Sequence, residues 1–237
     1  MSGRDALRYV PVLQRLVPPP LPVTGNPLAG EKPRHRGRLH QIAFFLSIPA
    51  GLALVGFAAR SVETRIAAAI YAVSVTALYG TSALYNRMLG TPRLRSWMRW
   101  LDHAMIYVLI AGSYTPVTWE KLPRAWSIPL LSAVWFAALT GIVLKLSSLK
   151  RFRRIGGSLY FVMAWVSVLV LPQLLQKLSR PEKTFLILGG VLYMIGAILL
   201  RLQRPNPSLS FGYHEVWHTF VFLAGACHFA MSWMALQ

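Results

Sequence analysis

"YHEVWHTFVFLAGACHFAMSWM", residues 213–234, supports two readings, and the choice between them decides the fold. It opens with His-Glu-x-x-His, the spacing by which soluble metalloproteases set two zinc-binding imidazoles on one helical face with a glutamate as general base. From Thr219 to Met234, however, it contains no Lys, Arg, Asp or Glu. An uncharged apolar run of roughly this length is what a helix needs to cross a bilayer. On that reading the histidine motif opens a membrane span.

The rest of the chain agrees with the second reading. Its 237 residues are 55% hydrophobic, with only seven acidic side chains against 25 Lys plus Arg, and the mean hydropathy is +0.47. Apolar runs recur at Gln41–Ala59, Ile66–Tyr85, Leu101–Trp119, Trp126–Leu146, Ile155–Leu175, Thr184–Leu200 and Tyr213–Met234, each bounded by Lys, Arg or Pro. The expected fold is all-α, a seven-transmembrane-helix bundle over residues 40–237 preceded by a basic, Pro-rich arm, 1–39. Gly, Ala and Ser inside every span permit close helix approach, and neighbouring helices can satisfy the carbonyls freed by Pro116, Pro129 and Pro172.

A net charge of +18 would suit a nucleic-acid partner only if it were gathered on one surface. Its distribution follows topology instead. The arm and the loops after spans two, four and six carry 18 of the Lys and Arg residues, and the other loops carry seven. The positive-inside rule then puts the N-terminus in the cytoplasm and the C-terminus outside, with no nucleic-acid partner. Arm residues 1–39 lack an apolar core for a secretory signal. Cys227 is the only cysteine, so no intramolecular disulfide forms.

With that topology, polar residues far apart in sequence share one membrane depth. Ser82 and Asn86 close span two, Asp102 and His103 open span three, and His214, Glu215 and His218 open span seven. Ionisable groups at membrane depth are costly, and each is a functional candidate. His214 and His218 stack about 40° apart and about 6 Å along one helix, close enough to share an ion. Imidazole suits Zn²⁺, and Asp102 is placed to bind the metal or hold its water. His103 and Glu215 diverge from those faces, and His228 lies about 15 Å further along the helix. The bland alternatives are interfacial polar residues capping a bundle, a carboxylate at a helix N-terminus for Asp102, and small-residue packing for Ser82.

Three segments carry a resemblance: "ALYGTSALYNRM" (77–88), "RWLDHAMIYVLIAGSYTPV" (99–117) and "GYHEVWHTFVFLAGACHF" (212–229). They resemble the hemolysin III family, bacterial relatives of the progestin and adipoQ receptors, themselves related to alkaline ceramidases. The resemblance implies a zinc ion near the cytoplasmic face, held by His214, His218 and a second-helix residue, with Asp102 on the zinc-bound water and Ser82 beside it. It also implies residence in the bacterial plasma (inner) membrane, with membrane lipids as partners. At the second-helix ligand position this chain departs from the family, carrying Asn86 where the pattern has histidine. An amide oxygen is the weaker zinc ligand. Asn86 as a reduced ligand, Asp102 moving onto the metal, and loss of the metal all stay open. The expected function is zinc-dependent hydrolysis of lipid amides or esters, with Asp102 and Ser82 catalytic. The alternatives are a non-enzymatic receptor-like or membrane-homeostasis protein with a degenerate metal site and, third, a cytolytic pore.

Overall fold

The structure is a computed structural model describing residues 35–88, 90–146, 150–208 and 210–237. Most of the 1–39 arm therefore lies outside the described residues. Seven helices are described: α1 (Arg38–Ala53), α2 (Val62–Arg87), α3 (Pro92–Lys121), α4 (Arg124–Leu146), α5 (Lys150–Lys177), α6 (Arg180–Leu202) and α7 (Tyr213–Leu236). No strand occurs among the described residues. Each helix covers one expected span to within a few residues, except that α3 begins nine residues before Leu101. The Thr91 hydroxyl accepts the Leu94 N–H, and Pro92 has a pre-set φ and no N–H to waste, so the helix nucleates in the polar segment ahead of the apolar run.

Five of these helices are long and apolar enough to cross a membrane: α1 with its continuation to Ala58, α2, α4, α6 and α7. The chain is an all-α polytopic membrane protein. Its outer surface agrees, for Phe57 is 82% exposed, Phe136 73% and Leu52 71%. In water each such side chain would forfeit roughly 1.5–3 kcal/mol of burial, a cost that a hydrocarbon surround removes.

Local chemistry sets the helix ends. The Ser61 hydroxyl accepts the Thr64 N–H while the Thr64 hydroxyl accepts the Ser61 N–H, a reciprocal cap opening α2. Pro49 interrupts the hydrogen-bond ladder of α1, which widens into a π-helical turn over Leu54–Ala58. At the ends away from the candidate site, Lys121 of α3 pairs with the buried Glu182 of α6 at 2.9 Å.

Consecutive helices pack on one another through most of the chain, and two occupy the middle. Helix α3 touches α2, α4, α5 and α7, while α7 touches α1, α2, α3 and α6. The N-terminal ends of α1, α3 and α7 and the C-terminal end of α2 consequently gather at one end of the bundle. Beneath them lies an apolar floor of Ala43, Leu78, Tyr79 and Val221, joined by Phe44, Met105, Ile106 and Trp217.

Candidate metal centre

The grouping expected from membrane depth is present in space. Ser82 and Asn86 are buried on α2, and Asp102 is half-buried on α3 with its carboxyl near the Ser82 hydroxyl. On α7 the rings of His214 and His218 lie 4.4 Å apart between centres at 56°, as their four-residue spacing requires.

His40 was absent from the expected set. It sits on α1, 3% exposed, and its ring stacks on that of His218 with centres 3.7 Å apart and planes 9° from parallel. The Tyr79 ring closes its other side at 5.2 Å. Neither ring nitrogen of His40 has a hydrogen-bond partner among the described residues, and Nε2 of His214 is likewise unpartnered. Three imidazoles from two helices are thus in contact, with buried donor atoms unused. A His directly abutting the first span, at the end where the other polar residues gather, was the available signal. The apolar run begins only at Gln41, so hydropathy placed His40 in the arm.

Asn86 is committed elsewhere. Its amide oxygen accepts from Nε of Arg36 at 3.0 Å, and its Nδ2 donates to the Ser82 carbonyl at 2.9 Å. The turn that delivers Arg36 depends on Gly37, which takes φ +77°. A Cβ there would stand 2.7 Å from the Asn86 Cβ, so both conformation and close approach select glycine. The Arg36 guanidinium also faces Asp102, His214 and His218 electrostatically.

The other polar residues near the motif serve the helices. Glu215 accepts the Gly212 N–H on Oε2 at 2.9 Å and caps α7. Nδ1 of His103 lies 2.6 Å from the Arg99 carbonyl one turn back, and the Tyr160 hydroxyl donates to the His103 carbonyl. His228 lies in a notch on α6, where Gly189 has no Cβ to meet its ring and Tyr193 packs edge-on at 5.5 Å.

The donor set suits zinc in kind: three imidazoles with a carboxylate nearby. Among the described residues no three His, Cys, Asp or Glu side chains already close on one point. The stack shows why, because parallel rings aim their in-plane lone pairs side by side. Zinc bonds of about 2.1 Å in tetrahedral geometry put ring centres about 5 Å apart. Bringing His40 and His218 onto one ion therefore takes ring rotation and a separation of about 1.5 Å beyond the stack.

Comparison with known proteins finds relatives that align over most of the chain. A family model described as "Haemolysin-III related" matches residues 29–229. The chain is 35% identical over 192 residues to the Hemolysin-3 homolog of Bacillus subtilis (strain 168), covering 80% of this chain and 87% of that protein. It is 33% identical over 194 residues to Hemolysin-3 of Bacillus cereus, covering 80% and 85%. Identity to the human Monocyte to macrophage differentiation factor is 26% over 205 residues, covering 81% of this chain and 80% of that protein.

Proposed function

Since the chain belongs to the haemolysin-III-related family, we propose that it is a zinc-dependent hydrolase of lipid amides or esters, working at the cytoplasmic end of a seven-span bundle in the bacterial plasma membrane. The observation that carries this reading is the mutual contact of the His40, His218 and His214 rings, with unpartnered buried nitrogens on His40 and His214, at the end of the bundle that also holds Ser82 and Asp102. Helices α3 and α5 complete the seven spans. The basic arm and loops lie on the cytoplasmic side.

His214, His218 and a third donor would hold the ion. Zinc in such a site supplies Lewis acidity, polarising a carbonyl and bringing the pKa of water down to about 7. The residues divide the remaining work. Asp102 takes the proton of the attacking water and returns it to the departing amine or alkoxide. Ser82 orients that carboxylate, and the Arg36 guanidinium offsets negative charge developing on the carbonyl oxygen. Phe44, one turn beyond His40, lines a shallow apolar groove with Val73, Thr76, Ala77, Gly80, Thr81 and Leu84, where an acyl chain can lie against α1 and α2.

Purified, zinc-loaded protein incubated with ceramide, N-acyl amides and lysolipids tests the reading by fatty-acid release. Turnover of one class, lowered about 100-fold or more by Asp102→Ala, is expected. No release from any class, with zinc bound, sinks it. A second reading has its own support. The Arg36–Asn86 contact sets a side-chain cation at the site, as suits a non-enzymatic receptor-like or membrane-homeostasis protein with a degenerate metal site. That reading gains if the purified protein holds no zinc and chelators leave its unfolding temperature unchanged. Cytolysis is the weakest of the three readings, because a chain of apolar spans is a membrane resident. Dose-dependent haemoglobin release by the purified protein, absent from an unrelated polytopic control, would revive it.

A further inference from the structure

We infer that His40 of α1, in place of Asn86 of α2, completes the metal site, so that the ion is held by His40, His214 and His218. This rests on the zinc reading above and changes which helix closes the site.

The side chains at the two positions are in opposite chemical states. The Asn86 oxygen, its one atom able to ligate a metal, already accepts from the Arg36 guanidinium, and its Nδ2 donates to the Ser82 carbonyl. Both His40 ring nitrogens are buried and unpaired among the described residues. A buried polar atom without a partner costs on the order of 1–3 kcal/mol, so two on one ring call for an explanation. Ligation supplies it for one nitrogen, and release of the ring from its stack frees the other to find a partner.

Geometry favours the same exchange. The His218 ring centre lies 4.4 Å from that of His214 and 3.7 Å from that of His40. Both separations are within about 1.5 Å of the value a tetrahedral zinc requires. Helix α1 can supply that movement, since among the described residues its main packing partners are α2 and α7, and its outer face is exposed at Ile42, Phe45 and Leu46. The competing account is an aromatic sandwich, with His40 a flat spacer between Tyr79 and His218. A phenyl ring would serve a sandwich equally well, but it has no lone pair to give a metal.

The experiment uses the full chain in detergent and three readouts. They are zinc affinity by chelator competition, visible absorption after cobalt substitution, and X-ray absorption at the zinc edge to count imidazoles. Wild type is expected to bind one zinc through three imidazoles. His40→Phe should keep the metal-free unfolding temperature, weaken zinc by about 100-fold or more and lose the tetrahedral cobalt bands. Asn86→Ala should stay within about threefold of wild-type affinity. Zinc held as tightly by His40→Phe, or lost from Asn86→Ala, overturns the assignment. The imidazole count in wild type needs no variant, so the inference stays testable if His40→Phe misfolds. Two imidazoles there would overturn the role of His40 while leaving the zinc reading intact. No zinc or cobalt binding in wild type would overturn both.

Discussion

Glu215 occupies the position that, in a soluble His-Glu-x-x-His helix, belongs to the general base. Here its carboxylate turns back to the Gly212 N–H and caps α7, because a helix starting at the bundle end has free N–H groups that must be satisfied. Glu215→Ala should therefore lower stability by about 1 kcal/mol while leaving zinc content unchanged, measured by thermal unfolding in detergent and elemental analysis. Loss of zinc in that variant would return the glutamate to the metal site. Gly37 makes the opposite kind of residue-scale case, since it matters through what it lets pass. Gly37→Val meets the Asn86 side chain and disfavours the left-handed turn, at a cost of roughly 1–3 kcal/mol. With Arg36 drawn off Asn86, lipid hydrolysis should fall while zinc affinity holds. Unchanged turnover would remove Arg36 from the mechanism.

Between elements, glycines set how closely the helices approach. On α6, Gly189 faces the His228 ring, and Gly196, seven residues on, faces Phe220 and Trp217 of α7. A Cβ at Gly189 would stand 2.3 Å from the imidazole, so Gly189→Leu has to push α6 from α7. A loss of about 1–3 kcal/mol is expected from overpacking, seen as a lower unfolding temperature. The same substitution at Gly190, whose Cβ would meet nothing within 4 Å, should be nearly silent. The helices themselves were readable from their apolar runs, because a membrane span must satisfy its backbone internally and hydropathy reports that local requirement. Two starts were not. Hydropathy has no access to the polar beginning of α3, where Thr91 and Pro92 nucleate the helix outside the apolar run, nor to the turn that places His40 on α1.

For the whole molecule, the apolar residues on the outside and the polar cluster at one end define a protein whose interior chemistry is shielded by its own helices. Zinc present at about 100 times its dissociation constant should stabilise the folded chain by about 2.7 kcal/mol, read as a rise in unfolding temperature that a chelator reverses. An unchanged temperature would argue against a resident ion. Orientation has a separate check. A C-terminal alkaline phosphatase fusion expressed in bacteria should be active and a C-terminal green fluorescent protein dark, and the reverse pattern would invert the topology.

The amino-acid sequence by itself determined that the chain lives in a membrane, where its helices run, and that Ser82, Asp102, His214 and His218 gather at one end. Those properties follow from composition, charge placement and helical spacing, all of which are local along the chain. Tertiary structure alone decided that His40 stacks on His218, that Arg36 takes the Asn86 amide and that Asp102 comes near Ser82. Each of these depends on which face one helix turns toward another. That orientation is set by the fit of small and large side chains between segments distant in sequence, which no window of the chain contains.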